Sequence, residues 1–156
     1  MKNIYFPEED ITPDDLYFLC YMIERVSRRI HQRNRYTVNH IPKKELEHQI
    51  SIANVLHAEN PRSVEDDWIA AYFLENGEFD ITKVRKDLNT RVPSDLQMGK
   101  VYSRLILDTM EPEETYVEGL QRIYNDSICE TIDDYDCGAY YEPSYFIARA
   151  YKNGGF

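Results

Sequence analysis

A chain of 156 residues, 42% apolar and 29% charged, suits one globular domain with a full hydrophobic core and excludes disorder for the bulk of its length. The formal net charge of −10 disfavours a long-range pull toward nucleic acid or an anionic membrane. No apolar run reaches membrane-spanning length. The opening Met1-Lys2-Asn3-Ile4-Tyr5-Phe6-Pro7 lacks the apolar core of a signal peptide, and Cys20, Cys129 and Cys137 have neither metal nor redox spacing. A cytoplasmic protein is the expectation that follows.

Residues 1–11 read as an irregular lead-in and residues 12–156 as a single α-rich domain. Thr12 is a good N-cap, Pro13 suits the first helical position, and Asp14 and Asp15 favour the positive end of the helix dipole. Leu16, Leu19, Ile23, Val26 and Ile30 then recur at three- and four-residue steps, predicting a helix over about Pro13 to Arg33. Tyr36-Thr37-Val38 has weak strand character. After Pro42, the spacing of Leu46, Ile50, Ala53 and Leu56 predicts a helix from Lys43 to Ala58, with Ile52 and Val55 suggesting cover on a second side. Asn60-Pro61 ends it.

Ser63 with Asp66 resembles a capping box for a helix carrying Trp68, Ala71 and Tyr72 inward. Asn76-Gly77 reads equally as a two-residue hairpin turn, with Leu74 facing Phe79, or as a helix stop. Ile81, Val84 and Leu88 suggest a short helical turn. Ser94 with Gln97 is a better capping box, opening a helix with Met98, Val101, Tyr102, Leu105 and Ile106 to about Thr109, although Gly99 weakens it. Glu111-Pro112 starts another, with Tyr116, Leu120, Ile123 and Tyr124 on one side, and Ile128 and Ile132 continue the pattern. Pro143 opens a last helix ending at Asn153-Gly154. The fold class expected is mainly α: a compact single-domain bundle of about six helices, with or without one short β-hairpin near Asn76-Gly77.

No catalytic constellation emerges. His31, His40, His48 and His57 lack metal-site spacing. Asp133, Asp134 and Asp136 lack the EF-hand pattern and read as a solvated acidic loop. There is no nucleophile elbow and no glycine-rich phosphate loop. Cys20 reads as a core residue, and acids oppose thiolate formation at Cys137. No cofactor and no metal are expected.

Two features remain. Seven bases and no acid lie between Arg25 and Lys44, whereas eleven acids and one base, Arg122, lie between Asp108 and Glu142. Arg25, Arg28, Arg29 and Arg33 share one face of a continuous helix and could hold an anionic partner, unless acids of the 108–142 region fold onto them. The C-terminal segment 133–156 is aromatic, and Tyr140, Tyr141 and Tyr145 have the amphipathic chemistry favoured at interfaces. These features lead to an acidic regulatory module that binds another protein, in concrete form an antitoxin- or inhibitor-like neutralising partner of a basic protein. The alternative is a small enzyme acting on a phosphorylated ligand, with the arginines for the anion and a histidine as acid or base.

Overall fold

The computed structural model describes all 156 residues and contains nine α-helices, two 3₁₀ turns and no strand. The one β pairing is an isolated antiparallel bridge, Lys2 to Asp10, within the irregular lead-in. Helix α1 (Pro13–Arg29) is central. Thr12 and Asp15 cap it reciprocally: the Thr12 N–H donates to the Asp15 carboxylate at 2.8 Å, and the Asp15 N–H donates to the Thr12 hydroxyl. The apolar stripe from Leu16 to Ile30 is buried as its spacing requires.

The helix ends earlier than its stripe implies. His31 takes a left-handed φ of 55°, which reverses the chain and sends Arg33 to the start of α2 (Asn34–His40). The Tyr36-Thr37-Val38 run is therefore helical. Tertiary contacts override its weak local preference: the Asn34 amide donates to Glu24 at 3.0 Å, the Ser27 and Thr37 hydroxyls bond at 2.7 Å, and Val38 is buried.

The helix expected over 43–58 is two pieces, α3 (Lys43–Ser51) and α4 (Ala53–Leu56), broken at Ile52. The side chain of Asn3 reaches in from the lead-in and donates to the Ser51 carbonyl at 3.1 Å, and an inserted donor of this kind breaks a helix. No second covered side exists, because Val55 is exposed. Next comes α5 (Pro61–Ala71), which starts three residues before the Ser63 box. Its cap is Asn60, whose side chain accepts from the Arg62 N–H at 2.9 Å with Pro61 at the first helical position.

Neither the hairpin nor the helix stop forms at Asn76-Gly77. Instead α5 has already ended at Tyr72, Phe73 turns the chain with a φ of 53°, and the segment crosses the C-terminal end of α1. There the Gly77 N–H donates to the Ile30 carbonyl at 2.8 Å and the Phe79 N–H to the His31 carbonyl at 2.9 Å. Carbonyls that a helix end leaves open are thus satisfied by a distant strand-like segment. Only Lys86–Leu88 form a 3₁₀ turn here, with Leu88 exposed.

Helix α6 (Asp95–Thr109) follows its Ser94 cap, whose hydroxyl accepts from the Gln97 N–H at 3.0 Å. It makes the most extensive helix contact in the molecule, against α1. Then come α7 (Tyr116–Tyr124), capped by Thr115 with Glu118 rather than started at Glu111-Pro112, and α8 (Ile128–Ile132). A 3₁₀ turn at Ala139–Tyr141 leads to α9 (Ser144–Lys152), which packs on α6. The helices enclose one continuous apolar core running from Ile11 to Ala150. No helix is long and apolar enough to cross a membrane.

Candidate functional site

The arginines of the basic run do not form one open face. Arg25 Nε donates to Glu65 at 2.6 Å and its Nη1 lies 3.5 Å from Asp95. Arg29 reaches both Glu65 and Asp66. Arg28 turns the other way, donating to Glu24 at 3.0 Å, to the Pro93 carbonyl at 2.9 Å and to the Tyr135 hydroxyl at 3.0 Å. The partner acids come from α1 itself, α5 and the first turn of α6, not from the 108–142 region. Arg33, beyond the end of α1, has no ion pair and lies 4.1 Å from the centroid of the Phe79 ring. The early end of α1 and the two acids of α5 thus divide the cluster among three environments.

The histidines stay apart, three of them each against a different aromatic ring: His40 on Tyr36 at 3.8 Å, His48 on Tyr5 at 5.2 Å and His57 on Phe18 at 4.4 Å. No three acids, histidines or cysteines converge with the geometry to hold a metal ion. The acidic run after α8 departs from a solvated loop. Asp133 is buried beneath Tyr102, whose hydroxyl donates to it at 2.6 Å, and Asp136 accepts from the Arg85 N–H at 3.1 Å and from the Thr90 hydroxyl. Only Asp134 keeps the exposure expected of all three.

The C-terminal aromatics divide as well. Tyr140 is buried, edge-on to Tyr135 at 5.4 Å, with its hydroxyl donating to the Arg91 carbonyl at 3.3 Å; it anchors the segment and presents no contact surface. Tyr141 and Tyr145 are 76% and 65% exposed. Phe146 and Phe156 are half exposed, with ring centroids 6.2 Å apart. Beside this patch a groove of about 230 Å³ runs between α6 and the start of α9. Its floor is Val101, Leu105, Tyr140 and Ile147, and its rim carries Tyr141, Glu142 and two cations without ion pairs, Lys100 and Arg104. The proline at 143 sets this arrangement, because it starts α9 and leaves Tyr141 on the outer side of the preceding turn.

The aromatic tail read from the sequence includes Phe146, but Phe156 and the groove carry no signal there. Phe146 follows Tyr145 directly, so a helical wheel anchored on the buried Ile147 and Ala150 could have placed both on the outer side.

Comparison with known proteins finds no matching protein-family model, no similar curated protein and no similar solved structure.

Proposed function

We propose that this chain is a protein-binding regulatory module that docks its partner on the aromatic patch of Tyr141, Tyr145, Phe146 and Phe156. The exposure of these four rings within one C-terminal segment, with Tyr141 at the edge of an apolar groove, carries the reading. Large aromatics left in water beside an apolar groove are costly for an isolated fold and are characteristic of contact surfaces. The net charge of −10 steers a basic partner at long range, the chemistry of an antitoxin- or inhibitor-like neutralising protein, while the unpaired Lys100 and Arg104 at the groove rim require carboxylates or carbonyls from that partner at the contact itself. Three unpaired thiols fit a reducing compartment, and the cytoplasm is the location we assign.

The enzyme alternative loses its main support. A phosphate site needs arginines free to fork onto the anion, and Arg25, Arg28 and Arg29 are committed to carboxylates. The test compares wild type with a Tyr141→Ala/Tyr145→Ala variant as bait in native cell extract. A basic protein retained by wild type, weakened by salt, and lost with the variant at unchanged melting temperature supports the reading. Equal retention by both removes the patch from the functional account.

A further inference from the structure

Three carboxyl groups lie inside this bundle, Glu24, Glu65 and Asp133, and only Asp133 has no cation of its own. Glu24, 1% exposed, accepts from Arg28 at 3.0 Å, from the Asn34 amide at 3.0 Å and from the Tyr135 hydroxyl at 3.3 Å. Asp133, 9% exposed, has one hydrogen bond, from Tyr102, and no ion pair. A carboxylate without a cation in a low-dielectric interior sheds its charge by taking a proton.

The groups facing Asp133 come from every element around it. Glu24 and Arg28 face it from α1, Arg33 from the turn beyond, and Tyr102 from α6. Tyr124 faces it from α7, Cys129 from α8 and Tyr135 from the following loop. Of the three cations around it, Arg28 is held on Glu24, Arg33 is stacked on Phe79, and Arg35, which shares the small cavity beside Asp133 with Glu130, donates to the Tyr124 and Asp126 carbonyls. Burial first, and the Glu24 charge second, push the Asp133 carboxyl up to about 8. A small cavity of about 20 Å³ lined by Asn34, Asp133, Cys129, Arg33, Arg35 and Glu130 adjoins it, and the buried Asn34 Oδ1 has no protein partner. This space suits about one water molecule. Outside it, a polar cleft of about 300 Å³ also touches Asp133 and gives protons a route to solvent. Lys83, Asp80, Asp134 and Asp136 line that cleft, where water screens both signs.

We propose that Asp133 carries a proton in the folded protein, and that losing it at alkaline pH loosens residues 133–156, so that this acid is a proton-operated latch on the C-terminal segment. Ionisation places a second negative charge near Glu24, whose own cation is Arg28, while Arg33 acts on Asp133 only from its stack on Phe79, without an ion pair. Withdrawing residues 133–135 into water relieves this. It also breaks the Tyr102–Asp133 bond and frees Tyr135 from Arg28 and Glu24. Tyr135 packs on Tyr140, which anchors the aromatic patch. The latch stands on the fold alone; only its effect on partner binding rests on the protein-binding reading.

The sign of the pH effect follows from where the proton is bound. The ordinary carboxyl ionises near 3.8, whereas the folded group holds its proton to about 8. Between these values the folded state binds more protons, so stability falls as pH rises through the interval. Asp133→Asn mimics the protonated acid and cannot ionise.

The experiment follows melting temperature for wild type and Asp133→Asn from about pH 5 to about pH 9 at fixed ionic strength. The variant should match or fall below wild type at the acid end and exceed it by several degrees at the alkaline end. Amide exchange in residues 133–156, corrected for intrinsic rates, should accelerate at alkaline pH in wild type only. Parallel melting curves, or equal acceleration in both proteins, overturn the proposal. Wild-type protein labelled with ¹³C at the aspartate carboxyl carbons decides the matter should the variant not fold. One resonance moving at about pH 8 supports the latch, and all resonances moving in the acid range sink it. Partner capture unchanged across this pH range, with the pH signature intact, would leave the latch standing and count only against the aromatic patch as the docking surface.

Discussion

Gly99 on α6 lies flush against the backbone of Tyr21 on α1: a Cβ at position 99 would stand 2.9 Å from both the nitrogen and the α-carbon of Tyr21. The central helix pair is in backbone contact here, and backbone atoms cannot swing aside as a side-chain tip can.

Gly99→Ala should therefore destabilise the protein by about 1–3 kcal/mol through overpacking, although alanine gains about 1 kcal/mol over glycine in a helix interior. Gly119→Ala is the control. Its Cβ would meet Ile106 Cγ2 at 3.0 Å and Glu114 Oε1 at 3.1 Å, side-chain atoms that need shift only by tenths of an ångström, not backbone. Urea denaturation of the two variants checks the order. A Gly99→Ala protein as stable as wild type would mean that α1 and α6 can separate freely.

The same glycine shows how far the sequence could be read. Its helix was legible from the Ser94 cap and the Met98, Tyr102, Leu105 spacing, because capping and periodicity are local. In the sequence alone Gly99 looked like a weakness, since its reason is a neighbour 78 positions away in the chain. The end of α1 was misjudged for a related cause. The apolar stripe runs on through Ile30, but the break depends on Gly77 and Phe79 arriving at the carbonyls of Ile30 and His31. Asn3 breaking the second helix at Ile52 is a third case. For the site, the aromatic composition of 133–156 was legible, while the burial of Tyr140 and Asp133 was not. Cys129 and Asp133, four residues apart, do share an inward face with the end of α8, and that spacing was the available signal.

Core truncation on α1 should be costly. Ile23 is fully buried at the middle of the stripe, so Ile23→Ala should lose about 2–5 kcal/mol. Thermal and chemical denaturation both read this directly. An unchanged midpoint would contradict the packing of α1 against its neighbours.

Thiol chemistry should separate the cysteines. Burial pushes the Cys20 and Cys129 thiols up to about 12, and both are shielded from reagents. Cys137 is exposed in the loop after Asp136. A thiolate-selective disulfide reagent should modify one cysteine rapidly in the native protein and all three after denaturation. Cys137→Ser should abolish the rapid phase. Rapid reaction at Cys20 would instead report that α1 opens readily.

The arginines offer the sharpest contrast, because two residues four apart in one basic run stand in opposite situations. Arg29 bridges Glu65 and Asp66, and Glu65 is nearly fully buried, 4% exposed in its side chain. Reversing it to Glu brings three acids together and leaves Glu65 with Arg25 alone. Hydrogen bonds to charged groups contribute about 1.5–3 kcal/mol, and Arg29 is about one-third exposed, so solvent screening reduces its share. Arg29→Glu should cost about 1–2 kcal/mol on that basis. Arg33 stacks on Phe79 with no acid within ion-pair distance, a contact worth about 0.5–1 kcal/mol at an exposed site. Arg33→Glu should therefore cost less than Arg29→Glu. Added salt should narrow the gap between the variants, because the repulsion at position 29 is partly screened. Comparing both in urea at low and high ionic strength settles the order. Equal costs would mean that the Glu65–Asp66 pairing does not hold α5 to α1. Partner capture supplies the second readout: a folded Arg33→Glu protein that retains its partner shows that the basic run serves the fold, whereas loss of capture without loss of stability returns Arg33 to the binding surface.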